Sequence, residues 1–256
     1  MTTAALSVPP VEPREFERNF IRLAVCELRF PTLLELETES PVAFQKALRK
    51  EYPHYESNLD VQFEVGGNAV SQRRHLLRSK DKRWTIALRP FALTIETFTY
   101  SNFEDLLSRL EFVLKSASSL LDTDFFTRIG LRYINALPVK DDDPSDWLNP
   151  ALVSSLKTGV FGRPSRYWHE TRGSAKSGFY SFRHGFQGIV DPAQPPTPGT
   201  GATDYLLDFD LYAEGVEFKD VIGTVKTFHS EGYALFSWSL GSKAREYLGT
   251  GARKRK

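Results

Sequence analysis

Residues 127–138, TRIGLRYINALP, alternate side chains in the pattern of a β-strand, with Arg128 and Arg132 on one face. An earlier stretch, IRLAVCELRFP at residues 21–31, also places an arginine before an alternating apolar run that ends in proline. We align the two stretches so that Arg22 corresponds to Arg128. The similarity predicts that the chain contains an internal duplication, and that residue 127 lies near the start of the second copy.

The elements after each of these two strands repeat in the same order. The first copy continues with a short helix at 41–53, several strands between 59 and 100, and a long helix capped by Ser101 with Glu104 in a capping box. The second continues with a short helix broken at Pro150, a hairpin at 165–187, a strand at 204–214, and a helix over 218–248 that glycines at 232 and 241 would kink.

This order predicts an α+β fold of two similar halves joined into one body, each an antiparallel β-meander with a short and a long helix packed on one face. We place the first half at residues 20–124 and the second at 125–249. Residues 1–19 are expected to be a disordered arm, 250–256 a basic tail, and 190–202 an exposed, mobile loop rich in proline and glycine.

Composition excludes several classes of function. The 33 basic and 32 acidic residues leave a net charge of +1, so no global field favours a nucleic acid or a membrane surface. Cys26 is the single cysteine, which excludes an intramolecular disulfide and a cysteine-based zinc site. We expect this thiol to be buried and unreactive in a cytoplasmic protein, because no apolar stretch resembles a signal peptide or a membrane span.

Strong catalytic motifs are absent from the sequence. It has no phosphate-binding loop, no dinucleotide-binding glycine pattern, no nucleophile elbow and no paired-histidine zinc motif. The five histidines do not have the spacing of metal ligands. We therefore expect no catalytic residues, no metal and no cofactor.

Arg128 and Arg132 have two interpretations. Two guanidinium groups on one strand face could clamp a carboxylate or phosphate, with Gly130 leaving space for it. Alternatively they pair with acids on neighbouring strands, and this is the interpretation we favour. In that case Arg132→Met should cost only about 0–1 kcal/mol, as for an exposed ion pair.

Two further clusters are candidate sites. The hairpin RYWHETRGSAKSGFYSFRHGF is dense in aromatic and basic residues, and its pairing would form a surface for a ligand or partner. From it we select Tyr167, Trp168, Arg183 and His184. A second cluster lies beside Trp84 and consists of the basic residues Arg73, Arg74, Arg78, Lys80, Lys82 and Arg83. It could hold a nucleic-acid backbone while Trp84 stacks a base, or it could be a solvated edge of the sheet.

Several stretches resemble a sporadically distributed family of uncharacterised bacterial proteins of about this length. They are CELRF, RSKDKRWTIAL leading to TFTYSNFEDLLSRL, TRIGLRYINALPV, DYLLDFDLYAEG, and a final helix that carries His229 and ends in REYLG. The resemblance spans residues 20–249 and implies one continuous unit. It brings no catalytic residues. The sporadic distribution is typical of accessory genes, including toxin–antitoxin and phage-defence partners.

These observations predict a non-catalytic binding protein that recognises another protein. One alternative is an enzyme or sensor that acts on an anionic small molecule, with the two arginines as clamp and His184 as general acid or base. A second alternative is a nucleic-acid-binding protein. A pocket in which the arginines and His184 converge would favour the enzyme, whereas a flat aromatic patch would favour the binding protein.

Overall fold

The computed structural model describes residues 5–14, 16–63, 69–139, 142–162, 164, 166–187 and 204–249, with residues 60–63, 69–72 and 187 described by their backbone alone. Within these residues the chain is α+β, as predicted. The strands are β1 Ile21–Arg29, β2 His54–Phe63, β3 Ala69–Arg78, β4 Trp84–Arg89, β5 Ala92–Thr97, β6 Phe125–Leu137, β7 Arg166–Ala175, β8 Gly178–Gln187 and β9 Tyr205–Glu217. The α-helices are α1 Glu35–Thr38, α2 Val42–Leu48, α3 Phe103–Leu121, α4 Pro144–Trp147, α5 Pro150–Lys157, α6 Val221–Ser239 and α7 Ser242–Leu248.

The nine strands form one antiparallel sheet in the order β2-β3-β4-β5-β1-β6-β9-β8-β7. Strands β2 to β5 form the predicted meander, and β7 pairs with β8 in the predicted hairpin. The described chain divides into two compact units. Unit 1 comprises Met1–Arg22, Arg132–Leu211 and Thr227–Lys256, and unit 2 comprises Leu23–Leu131 and Tyr212–Lys226.

The core of unit 2 lies between the sheet and α3. Ala24, Cys26 and Leu28 are fully buried on one face of β1, which confirms that the thiol is buried. Cys26 pairs with Ile95 of β5 on this face. Helix α3 lays its apolar stripe over the same face, and its Arg109 guanidinium lies 4.9 Å from the centre of the Trp84 ring.

Helix α3 begins one residue later than its predicted cap. Its N-cap is Asn102, whose side-chain oxygen accepts a 2.8 Å hydrogen bond from the backbone of Asp105, so the prediction of Ser101 as cap is wrong. Ser101 instead donates to the Asp105 carboxylate at 3.3 Å. Both residue types are good caps, and the backbone at 102 decides between them because it is extended there (φ −154°).

The core of unit 1 lies between the sheet and helices α5 and α6. The Tyr133 hydroxyl is 3.2 Å from His229 on α6, and the Phe209 ring packs edge-on against Phe236. The Tyr167 hydroxyl donates to the carbonyl of Leu152 on α5 at 2.8 Å. The odd-numbered residues of β9 therefore face these helices, and the even-numbered ones face away.

The predicted final helix is interrupted once. A 3-10 turn at Phe218–Asp220 precedes α6, which continues through Gly232 to Ser239, and α7 starts after Gly241. A Cβ at residue 241 would collide with the backbone carbonyl of Asp146, so this position requires glycine. The helix is therefore interrupted at Gly241, one of the two glycines that predicted a kink, and it is continuous through Gly232.

Arg22 and Arg128, which the sequence predicts to be equivalent, differ in the face of the strand that they occupy. Arg128 lies on the same face as Glu27, its ion-pair partner at 3.4 Å. Strand alternation puts Arg22 on the opposite face of β1, with Ala24 and Cys26. An alignment that respects burial matches Cys26 to Leu131, because both are fully buried.

Residues 5–14 and 16–19, which belong to the arm expected to be disordered, make contacts in unit 1. The Leu6 amide donates to Ser174 at 2.7 Å, the Arg14 amide to the Tyr233 hydroxyl at 3.1 Å, and the Arg18 amide to Leu248 at 3.2 Å. The proline-rich loop at 190–202 and the basic tail lie outside the described residues.

Candidate functional site

In unit 1, the face of the sheet that points away from the helices has Asp208 of β9 at its centre. Arg132 of β6 holds this carboxylate with two hydrogen bonds, Nε to Oδ1 at 2.7 Å and Nη2 to Oδ2 at 2.8 Å. Arg183 of β8 lies on its other side, with Nη2 3.0 Å from Oδ2. The Asp208 side chain is only 5% exposed. One buried carboxylate thus fixes two arginines on neighbouring strands.

The charges of this face are largely balanced within it. Hydrogen bonds from Arg132 to Asp208 and the negative charge of Asp210 raise the pKa of Arg132. Arg183 also lies near the carboxylate of Glu170 on β7, and its Nε is buried without a hydrogen-bond partner among the described residues. The arrangement favours the second interpretation of Arg132, a partner of a neighbouring-strand acid.

Trp168 adds an exposed aromatic ring to the same face. It precedes Glu170 by two residues on β7, so the two side chains point the same way. The Trp168 side chain is 40% exposed and stands opposite Gly185 of β8. Gly185 has a φ of +150°, and a Cβ there would collide with the backbone of Tyr167. We call Arg132, Trp168, Arg183 and Asp208 the open face of unit 1.

Tyr167 and His184 lie on the other side of the sheet. His184 is 5% exposed, and its Nδ1 is 2.7 Å from the hydroxyl of Tyr205. Burial and the nearby His169 lower the pKa of His184 to about 4, and burial also raises the pKa of Tyr205. The predicted hairpin surface is therefore split, with Trp168 and Arg183 on the open face and Tyr167 and His184 under the helices.

Arg128 belongs to unit 2 and has its own neighbours. Its guanidinium pairs with Glu27 and lies 4.4 Å from the centre of the Tyr212 ring. The same guanidinium fills the space above Gly130, where a Cβ would come within 2.8 Å of Nη1. The space that the sequence assigned to a ligand is occupied by Arg128 itself.

The predicted nucleic-acid cluster does not form one surface. Arg73 donates to the carbonyl of Thr38 on α1 and its neighbour Arg74 points the other way, 3.8 Å from Glu96. Arg78 pairs with Glu56, and Arg83 with Asp81 at 3.7 Å, while Lys80 and Lys82 are exposed. Trp84 is 2% exposed beneath α3, so it cannot stack a base as proposed from the sequence.

Unit 2 also contains an open pocket that the sequence did not predict. It has a volume of about 720 Å³ and lies where α3 ends and β6 begins, beside the end of β9. Its walls carry two phenylalanine rings, three carboxylates and one ammonium group, and its lining residues are Ser118, Asp122, Thr123, Asp124, Phe125, Glu217, Phe218 and Lys219. The residues come from distant parts of the chain, which is why local patterns missed it.

Within the described ranges no three His, Cys, Asp or Glu side chains are grouped to hold a metal ion, and no helix is long and apolar enough to cross a membrane. Comparison of the chain with protein-family models and with curated proteins finds no match.

Proposed function

We propose that the protein is a non-catalytic binding protein that recognises another protein through the open face of unit 1. The observation that carries the proposal is the exposed Trp168 on edge strand β7, on the same face as two arginines that are fixed by a buried carboxylate. Tryptophan and arginine are the residues that most often dominate the free energy of protein interfaces. On a sheet their side chains are held before binding, which reduces the entropy lost in the complex.

The enzyme alternative is less well supported. It requires His184 to act beside Arg132, but the two side chains lie on opposite faces of the sheet in unit 1. Burial lowers the pKa of His184 to about 4, so the ring is neutral at pH 7, and its Nδ1 faces the Tyr205 hydroxyl. A histidine in this position stabilises the core and does not reach a substrate on the open face.

The proposal is tested by a pull-down, in which the protein is immobilised on a resin and incubated with lysate of the native host. We expect Trp168→Ser to lose a partner that the wild type retains. Trp238→Ser is the matched control, because Trp238 is 37% exposed and lies on helix α6. Equal retention by all three proteins, measured by quantitative mass spectrometry, would contradict a role for the open face.

Membership of the sporadically distributed bacterial family, a cytoplasmic location and a role as partner subunit in a toxin–antitoxin or phage-defence system stay predictions. They are consistent with a binding protein. Identification of the retained partner, and of the products of neighbouring genes, tests them together.

We also propose that the chain arose by internal duplication. In the sheet order, the last strand of each half lies beside its first, β5 beside β1 and β9 beside β6. Each half also runs from a strand through short helices and antiparallel strands to a long helix. Related sequences should align the halves with Cys26 opposite Leu131; an alignment that matches buried to exposed positions would count against the idea.

A further inference from the structure

A turn in unit 1 presents the two most exposed neighbouring apolar side chains of the described chain. Val160 is 80% exposed and Phe161 is 66% exposed. They follow α5 in the sequence TGVFG, between Gly159 and Gly162. Burial of apolar side chains of this size is favourable, so their exposure indicates an anchor for a contact.

The turn is ordered by its own backbone. The Gly162 amide donates to the Gly159 carbonyl at 3.1 Å, and the two glycines have φ of +58° and +70°. A Cβ at either glycine would meet nothing within 4 Å, so the tip of the turn projects away from the rest of unit 1. Glycine is required here for the backbone conformation and not for space.

Basic side chains flank this apolar tip. Lys157 ends α5 and Arg166 begins β7, and both are exposed. The turn therefore combines a small apolar knob with a positive border. A surface that accepts it needs an apolar floor with negative charge around it.

The pocket of unit 2 has this complementary chemistry. The Phe125 ring, 44% exposed, and Phe218 supply apolar walls. Asp122, Asp124 and Glu217 supply negative charge, and Lys219 is already paired with Glu217 at 2.7 Å. The carboxyl end of α3 adds the partial negative charge of a helix C-terminus.

The size of the pocket also fits. A volume of about 720 Å³ lies within the roughly 300–1,000 Å³ of pockets that accept ligands, and it leaves room for one aromatic and one branched side chain. Val160 and Phe161 are 80% and 66% exposed, so their side chains are available to another molecule. The fitting occupant is the knob of another molecule.

We propose that the Val160–Phe161 turn of one copy inserts into the Phe125–Phe218 pocket of a second copy. Knob and pocket are different surfaces, so the contact is head-to-tail and can repeat into a ring or an open chain. It is distinct from the proposed partner contact on the open face and goes beyond it. A membrane is a poorer occupant, because two apolar side chains with a few basic neighbours give only weak interfacial binding.

The contact is small, and interfaces that bury less than about 1,200 Å² in total are weak and transient. The test is therefore a concentration series in sedimentation velocity, extended to roughly millimolar protein. We expect the mean mass of the wild type to rise above the monomer mass of 29.1 kDa with concentration. Phe161→Ser and Asp124→Lys should each stay monomeric, with Glu217→Lys as a second pocket variant.

Two controls match these changes. Phe98→Ser removes a phenylalanine that is also 66% exposed, and Glu111→Lys makes the same charge change on an exposed position of α3. Both should associate like the wild type. Thermal unfolding of each variant checks that its fold is intact.

Mixing the two monomeric variants gives the sharpest result. The Asp124→Lys protein keeps its knob and the Phe161→Ser protein keeps its pocket, so the mixture should form one-to-one dimers and nothing larger. A wild type that stays monomeric throughout would overturn the proposal. So would failure of the mixture to dimerise, or association that the knob and pocket variants leave unchanged.

Binding to vesicles of phosphatidylserine and phosphatidylcholine tests the remaining alternative, in which the Val160–Phe161 turn inserts into a membrane. Wild-type protein that binds them without self-association, and loses binding in Phe161→Ser, would assign the turn to a membrane and overturn the proposal. Because none of these measurements uses the host partner, they succeed or fail independently of the Trp168 experiment.

Discussion

Arg132 and Asp208 form an ion pair in which only the arginine reaches solvent. The Arg132 side chain is 37% exposed and that of Asp208 is 5% exposed. Arg132→Met removes two charge-assisted hydrogen bonds and leaves the carboxylate with Arg183 alone. We expect the free energy of unfolding in urea to fall by about 1–3 kcal/mol, more than the sequence suggested, because the acceptor is buried.

The matched control for this substitution is Arg29→Met. The Arg29 side chain is 48% exposed, and its partner Glu27 is also within reach of Arg128. Its removal should change the free energy of unfolding by about 0–1 kcal/mol. Equal losses in the two variants would show that burial of Asp208 does not set the cost.

His184 makes the stability of the protein depend on pH. Its pKa is about 4 in the folded chain against an ordinary value of 6.5, so the unfolded state binds the extra proton between these values. Its contribution is fully present above pH 6.5 and is lost as pH falls toward 4, with a slope of at most about 1.4 kcal/mol per pH unit.

The comparison is with His184→Gln, which keeps an acceptor for the Tyr205 hydroxyl and does not titrate. Its free energy of unfolding should fall less steeply than that of the wild type between pH 6.5 and pH 4. Burial also lowers the pKa of His75, but His75 is present in both proteins and its effect cancels. Parallel curves would exclude His184 as the source.

At the level of elements, the start of α3 is set by Asn102. Asn102→Ala removes the side-chain acceptor for the Asp105 amide and should lower the free energy of unfolding by about 1 kcal/mol. Ser101→Ala should cost much less, because Ser101 donates only to the half-buried Asp105 side chain, in a long hydrogen bond of 3.3 Å. A larger loss at Ser101 in urea or thermal unfolding would restore the capping assignment made from the sequence.

Periodicity predicted most elements because their signals are local. The alternation in β4 and β5, the apolar stripe of α3 and the break at Pro150 each lie within one short stretch. The alignment of Arg22 with Arg128 disagrees with the burial of β1 and β6, because it matched arginine and proline landmarks. Burial would have aligned Ala24, Cys26 and Leu28 with Ile129, Leu131 and Tyr133.

The candidate site was harder to predict than the fold. Trp168 and Tyr167 are neighbours on one strand, so alternation alone separates them onto opposite faces. The sequence contains that information. The role of Asp208 could not be predicted in this way. It depends on β9 lying between β6 and β8, and no local pattern encodes this strand order.

At the scale of the whole molecule, the compact units do not coincide with the halves of the sequence. Unit 2 takes Tyr212–Lys226 from the second half. In it the Tyr212 ring lies beside the Arg128 guanidinium, Phe218 stacks on Phe126, and the Phe218 amide donates to Asp124 at 2.8 Å. Along the sequence, the chain passes through Arg132–Leu211 of unit 1 before it returns to unit 2.

A fragment of residues 1–124 therefore lacks both the start of β6 and the segment Tyr212–Lys226, which complete unit 2. We expect it to show no cooperative transition in urea when followed by circular dichroism. Addition of a second fragment, residues 125–256, should restore the transition, because it supplies both missing pieces. A cooperative transition in the first fragment alone would mean that the half folds independently, as a duplication of self-sufficient domains requires, and that the contacts of Tyr212 and Phe218 only adjust a structure that is already formed.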